Sequence, residues 1–519
     1  MNSLKNHLSR RRFLAATGAL FTIGLTEQRA LAVTNDGYFS LGVASGCPRP
    51  DQVILWTRLA PDPLNGGGMA NHAAAVRIRV SRDEGFRNVI LDELVTATAD
   101  EGHSIHSVAR GLEPGRDYWY QFSYDGSESP IGRTKTADPA AGEAKIALAY
   151  CQHYETGFFA AYRDLAEWAP DCVIHTGDYI YEYGPGKLGV TMRDVGGGER
   201  RPFETVRLHQ GPETTTLWDY RNRYALYRTD PHLQAAHAAA PWIFALDDHE
   251  VDNNWAGDIP QDPHKQTPVE FLVRKIAAFQ AYYEHMPIER PPVLDGLHSH
   301  LQMYGAYRLG PAQIHLLDTR QYRSDQACGD NRRAYCDEVW DPTRTMLGKN
   351  QEAWLTEGLK QSDAPYNLIA TSIWFTPYRY NEPPADAIRN LDSWDGYPAA
   401  RQRLTNALTD DALNPVFLTG DWHTAMASTI HEDPFDSSSK RIGHELVGSS
   451  ISSHCPWAQD MESVRDANPH VAHLNGNQRG YLRTTVTKRK CVGDFRVVKD
   501  AGLADSPVVR DIELSTNDF

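Results

Sequence analysis

The chain has 519 residues, 41% of them apolar and 23% charged, with a formal charge of −15 at pH 7. Such a length and apolar content support a sizeable core spread over about two to four domains. The acidic balance excludes a dedicated nucleic-acid or anionic-lipid surface, because like charge repels both.

In chain order, the first feature is "SRRRFLAATGALFTIGL". A basic cluster (Arg10, Arg11, Arg12) precedes an apolar run from Phe13 to Leu25, which ends at the small-residue site Ala30-Leu31-Ala32. Residues 1–32 thus read as an export signal, too short for a secure bilayer span. The alternative is a short basic anchor. The form Ser-Arg-Arg-x-Phe-Leu resembles the twin-arginine type, which implies the twin-arginine export machinery as a partner and a periplasmic or secreted location. Removing this segment takes away five Lys/Arg and one Glu, so the mature chain is more acidic still. No later segment reads as a membrane span.

Residues 33–137 lack helical periodicity. "QVILWTRL", "AAVRIRVSRD", "ELVTATA", "SIHSVARGL" and "DYWYQFSYDG" read as short strands between Gly, Pro and Asp turns. The expectation is an N-terminal all-β sandwich, and "LEPGRDYWYQF" looks like a strand entry of a fibronectin-type domain. "TKTADPAAGEA" reads as a linker into a second domain at 138–519. There six apolar runs follow: "KIALAYC", "DCVIHTGD", "PWIFALDD", "QIHLLDT", "YNLIATS" and "PVFLTGD". Helical stretches such as "GFFAAYRDLAEWA" and "LGKNQEAWLTEGLKQS" lie between them. Continuous apolar runs alternating with helices predict an α/β sheet covered on both faces.

Four of those runs end in a reactive residue: Cys151, Asp178, Asp247-Asp248 and Asp421. Sites in α/β sheets lie beyond the carboxyl ends of the strands, so the four segments converge. Several carboxylates in one cleft repel each other unless a cation lies between them. One thiolate, one phenolate (Tyr181) and one imidazole (His423) suit a softer or trivalent transition metal, and Fe³⁺ fits a phenolate better than Zn²⁺ does. The oxygens of Asp248, Asp421 and the amides of Asn253 and Asn254 in "VDNNWAG" suit a hard cation such as Ca²⁺. Asp178 would bridge the two. Asp247 is an alternative to Asp248, or an acceptor for backbone N–H groups. Asp318 and Arg320, in "LDTRQYR", either line the site or form a core ion pair. Trp422 is expected at the mouth, and His153 and His175 as structural. Of seven cysteines, Cys328 and Cys336 could bridge after export and Cys172 reads as a buried free thiol.

"GDYIY" resembles the Gly-Asp-x-x-Tyr block of purple acid phosphatases and related metallophosphatases. "DDHE" stands where those enzymes have Gly-Asn-His-Glu, and "GDWH" where they have Gly-His-x-His. These substitutions, with "GVASGCPRPDQVILWTRLAP", "DDHEVDNNWAGD", "LDTRQYR", "WDGYPAAR" and "RGYLR", resemble the alkaline phosphatase D (PhoD) family over nearly the whole mature chain. The resemblance implies a calcineurin-like α/β/β/α metallophosphatase sandwich behind the fibronectin-like β-sandwich. It also implies an iron–calcium centre that cleaves phosphate esters outside the cytoplasm. Position by position, Asp178 looks like the bridging ligand and Tyr181 the iron phenolate. Cys151 occupies the place of the first aspartate of purple acid phosphatases. His423 is assigned to iron and Asp421 to calcium, and the reverse remains open.

The implied chemistry is metal-assisted hydrolysis by an activated hydroxide, with Asp178 central and His249 orienting the ester or protonating the leaving alkoxide. Substrates would be phosphate-ester small molecules or phosphodiester polymers. The same scaffold could serve as an alkaline phosphatase/phosphodiesterase, or as a phospholipase D-like or polymer-specific phosphodiesterase. A non-catalytic surface binding protein is the competing class, and the complete donor set argues against it.

Overall fold

The computed structural model describes residues 37–187, 192–194, 200–202, 205–383, 386–436 and 438–518. The expected export signal, residues 1–32, lies outside them, and no helix of the described residues is long and apolar enough to cross a membrane.

Two sheets face each other. The first has nine strands in the spatial order 508–515, 491–498, 480–487, 143–149, 172–175, 241–244, 43–46, 52–58 and 104–110. The second has seven, in the order 305–309, 312–316, 366–371, 415–419, 441–447, 425–431 and 471–475. Their central strands pair in parallel: Glu143–Ala149, Cys172–His175 and Pro241–Phe244 in the first sheet, and Ala312–Leu316, Tyr366–Thr371, Pro415–Thr419 and Arg441–Val447 in the second. All six apolar runs become strands of this core.

Alternation along each strand explains the layering, since successive side chains leave opposite faces. Cys172 and Ile174 point between the sheets with Leu148, Ile243, Leu368, Val416 and Leu446. Val173, Trp242 and Phe244 face the helices Ala161–Trp168, Pro231–Ala239 and Pro268–His285. On the far side Ile369 and Phe417 meet Leu355, Leu359 and Leu404 of the helices Gly348–Gln361 and Pro398–Asp411. The result is helix, sheet, sheet, helix. Each such fully buried aliphatic or aromatic side chain contributes about 1.5–3 kcal/mol of transfer free energy. Local signals set the helix starts. Thr267 accepts from the Glu270 N–H while the Glu270 side chain reaches back to the Thr267 N–H, and Pro268 occupies the first turn.

The N-terminal region is all β, with a five-stranded sheet built from 74–81, 89–97, 117–124, 127–128 and 132–135. It packs through Val76, Ile78, Val80, Tyr118, Tyr120 and Phe122 onto Val43, Val53, Leu55 and Ile105. Those last residues belong to strands of the nine-stranded sheet. Val43–Gly46 pairs in parallel with Pro241–Phe244. The regions expected as separate units at 33–137 and 138–519 therefore share a sheet, and Asn35–Phe519 forms one compact unit. A linker-like composition marks the crossing at "TADPAAGE", but hydrogen bonding carries the sheet across it. Cys328 and Cys336 form a disulfide, and Cys172 is a buried free thiol.

Candidate metal centre

The site forms where strand ends of both sheets meet. Two glycines allow that approach. A Cβ on Gly177 (φ +105°) would lie 2.3 Å from the Asp247 Cβ, and one on Gly420 would lie 2.5 Å from Thr176 Oγ1. Each is followed by an aspartate, Asp178 or Asp421. Beyond the strands the backbone turns sharply through left-handed conformations at Cys151 (φ 49°), Asp178 (55°), Asn254 (50°), Asp421 (64°) and His423 (51°). Non-glycine residues adopt this region uncommonly, and its clustering here marks positions held for their side chains.

The donors converge on Asp178. Its Oδ2 accepts from the Tyr181 hydroxyl at 2.8 Å and the Cys151 thiol at 3.1 Å. Tyr181 Oη lies 3.3 Å from His423 Nε2 and 2.8 Å from Ser453 Oγ. His423 Nδ1 donates to the His454 carbonyl at 2.7 Å, which leaves the Nε2 lone pair facing the cluster. One donor group is Cys151, Asp178 and His423, and a second is Asp178, Asp248 and His249. Within each group one ligand atom per residue lies within 4.8 Å of the others. Asp178 belongs to both.

Asp248 Oδ2 accepts the Asn254 N–H at 2.7 Å, while its buried Oδ1 has no hydrogen-bond partner among the described residues. Arg320 Nη2 stands 3.8 Å from that oxygen. Asp247, the alternative ligand, accepts from Arg320 Nε at 2.6 Å, so it serves first as an ion-pair partner. Arg320 also donates to both Asp392 oxygens, at 3.0 and 2.9 Å, in a buried network. Arg320 is thus a buried ion-pair partner that also borders the donor group through Asp248. Asp318 is a turn acceptor, bonded by the Arg320 and Gln321 N–H groups at 3.0 and 2.9 Å. Asn253 offers its N–H to Glu182 at 3.2 Å, and the Asn254 side chain turns to Asp330 Oδ2 at 2.6 Å. Trp422, expected at the mouth, is buried against Trp374 and Trp457.

Electrostatics show what the donor set lacks. Burial, then Asp248, Glu250 and Asp421, hold the Asp178 carboxyl well above its ordinary value, against an opposing pull from His249. Burial, Asp392 and Asp248 push Asp421 up to about 7. Burial, Asp178, Asp421 and Asp247 raise the Cys151 thiol, and burial, Asp178 and Cys151 raise the Tyr181 phenol. Asp248 alone stays below its ordinary value despite burial, because His249 and Arg320 favour its charge. Without further positive charge the cleft disfavours the ionised form of most of these groups. A cation among them would reverse that preference, and the orphaned Asp248 oxygen supplies a ready ligand atom. The donor chemistry fits metal binding.

Several contributors escaped the sequence. Glu182 directly follows Tyr181 in "GDYIYE" and bonds His249 Nδ1 at 2.7 Å. Glu250 accepts the Tyr179 and Asp247 N–H groups at 2.6 and 3.0 Å and so fastens two strand-end loops together. Ser453 lies in "ISSHCPW" and Asp392 in "NLDSW", and neither stretch has a telling pattern. Arg479, in "RGYLR", ties the far rim by donating to the His423 and Ser453 carbonyls, both at 2.6 Å.

With this geometry in view, comparison with known proteins is direct. The family model described as PhoD-like phosphatase matches residues 146–495, and that of the PhoD-like phosphatase N-terminal domain matches residues 26–138. Alkaline phosphatase D of Bacillus subtilis (strain 168) is 43% identical over 512 residues, covering 95% of this chain and 85% of that one. A solved structure described as the structure of PhoD superposes with a TM-score of 0.86 at 42% identity, covering 92% of this chain and 90% of the other. The chain belongs to the PhoD-like phosphatase family.

Proposed function

We propose that this protein is an exported, metal-dependent phosphohydrolase of the alkaline phosphatase/phosphodiesterase type that acts on phosphate-ester small molecules. Its family membership makes it a phosphoric ester hydrolase. The observation that carries the metal-dependent reading is the pair of donor groups sharing Asp178. Cys151, Asp178, Tyr181 and His423 would hold Fe³⁺, whose affinity for phenolate and thiolate suits them. Asp178, Asp248 and Asp421, with Asn253 and Asn254, would hold Ca²⁺. When bound, these cations supply Lewis acidity that activates water and neutralises phosphoryl charge. The chain's own part is positional. Asp178 fixes the spacing of the two donor groups, the Arg320–Asp392 network holds the Asp247-Asp248 turn, and His249 stands ready to protonate the leaving alkoxide oxygen.

Purified protein should hydrolyse p-nitrophenyl phosphate or bis-p-nitrophenyl phosphate. Exhaustive chelation should abolish that activity, and iron with calcium should restore it. Turnover that survives complete chelation would overturn the metal-dependent reading. Export through residues 1–32 belongs to the same proposal. Replacing Arg10 and Arg11 by Lys should retain active enzyme in the cytoplasm, and undiminished export would remove the twin-arginine component.

A further inference from the structure

Two buried glutamates lace the loop 178–183 to the turn 247–254, and they do so differently. Glu250 bonds backbone N–H groups, among them those of Tyr179 and Asp247. Glu182, 1% exposed, bonds the His249 imidazole: its Oε2 accepts from Nδ1 at 2.7 Å, while its Oε1 accepts the Asn253 N–H at 3.2 Å. One carboxylate therefore grips both limbs of the same turn. The imidazole is further confined by stacking on Tyr181, with ring centroids 4.1 Å apart at 30°, and by an edge contact with Tyr183 at 5.3 Å. Nε2 has no hydrogen-bond partner among the described residues and is absent from their buried unpaired atoms, so it keeps contact with solvent. A ring nitrogen of His249 lies within 4.8 Å of carboxylate oxygens of Asp178 and Asp248, which places the ring beside the proposed reaction centre.

We propose that Glu182 is a positioning residue for the reaction, fixing His249 so that Nδ1–H is held and Nε2 presents the proton to the departing ester oxygen. This rests on the phosphohydrolase reading above. As the P–O bond breaks, its electron pair stays on the alcohol oxygen and the proton on Nε2 moves to that oxygen. The imidazole is left neutral with its hydrogen on Nδ1, the tautomer that the Glu182 carboxylate holds. Water supplies the oxygen gained by phosphorus, so the balance closes with no further reactant. A carboxylate that orients a catalytic imidazole in this way acts through geometry and tautomer, not through contact with substrate.

Leaving-group dependence tests the role. A protonated alkoxide matters little for p-nitrophenol, which leaves readily as an anion, and greatly for an alkyl alcohol. Ester series with p-nitrophenyl, phenyl and ethyl leaving groups, as monoesters and as methyl diesters, should be compared in kcat/KM on the metal-replete enzyme. Glu182→Ala should lose about 10²-fold or more on the ethyl ester and less than about fivefold on the p-nitrophenyl ester. Glu182→Gln, whose amide oxygen can still accept from Nδ1–H, should recover much of the ethyl-ester rate. It also keeps the test open should the alanine variant fold poorly. His249→Ala should reproduce the same selectivity, and the double variant should be no slower than His249→Ala alone. Equal losses across all leaving groups, or additive effects of the two substitutions, would overturn the assignment. Wild-type enzyme that cleaves none of the esters would instead contradict the phosphohydrolase reading itself.

Discussion

The N-terminal sandwich and the strand-end cleft solve opposite problems with charge. In the sandwich, the core between the two sheets is built from Val, Ile, Leu, Phe and Tyr, and the ion pairs stay outside. Arg77 and Asp92 bond bidentately there with side chains 52% and 41% exposed. In the cleft, Asp178, Asp247, Asp248 and Arg320 are buried together. Solvent supports the first arrangement. The second is sustained only by partners inside the protein, or by cations bound among the donors. Ordinary folding rules thus account for the sandwich, and the places where they are broken point to chemistry.

That contrast can be broken by experiment, and the largest effect falls on Arg320. Arg320→Met leaves Asp247 buried without its guanidinium and Asp392 with only that of Arg323, and should lower unfolding free energy by about 3–5 kcal/mol in urea titrations. A loss below about 1 kcal/mol would mean that the network does not sustain the cleft. Asp178→Asn should reduce turnover by about a thousandfold, near 4 kcal/mol of transition-state stabilisation. Because burial and its acidic neighbours hold the Asp178 carboxyl above its ordinary value, the neutral amide removes the cost of keeping an ionisable carboxyl there. The metal-free variant should therefore melt no lower than the metal-free parent. A lower melting temperature would show that Asp178 serves the fold.

The third test concerns pH and the strand Ser104–Arg110, which joins the two regions. Burial brings the His106 imidazole down to about 4, with Nε2 near the Tyr283 and Met286 carbonyls at 2.9 and 3.0 Å. The unfolded chain binds this proton near pH ~6.5 and the folded chain does not, so stability falls as pH drops through that window towards 4. Of the total loss between pH 7 and 5, to which other buried histidines such as His175 and His470 also contribute, the His106 share should be about 1–2 kcal/mol, and His106→Gln should reduce the slope by that share. An unchanged slope in the variant would exclude His106 as the cause. The smallest effect belongs to the sandwich surface: Arg77→Met should cost under about 1 kcal/mol, and less as salt is added.

Much of this was legible in the residues. Uninterrupted apolar runs gave the six core strands because both faces of those strands are covered, and alternation gave the sandwich strands. Reactive residues at strand ends located the cleft, since the backbone turns left-handed at Cys151, Asp178 and Asp421 themselves. What stayed hidden depends on long-range pairing. The parallel bonding of Val43–Gly46 to Pro241–Phe244 joins regions nearly two hundred residues apart, and no local pattern encodes it. Glu182 and Asp392 are likewise ordinary acids until the fold places His249 and Arg320 against them. An aromatic residue between two donors suits either a rim or a buried support, and only the packing of Trp422 against Trp374 and Trp457 shows it to be buried.

Elemental analysis of purified, active protein tests the central claim most directly, because the shared Asp178 carboxylate is proposed to lie between two unlike cations. The account predicts iron and calcium in stoichiometric amounts per chain, with iron lost from Cys151→Ser. Active protein containing neither element above trace would contradict it.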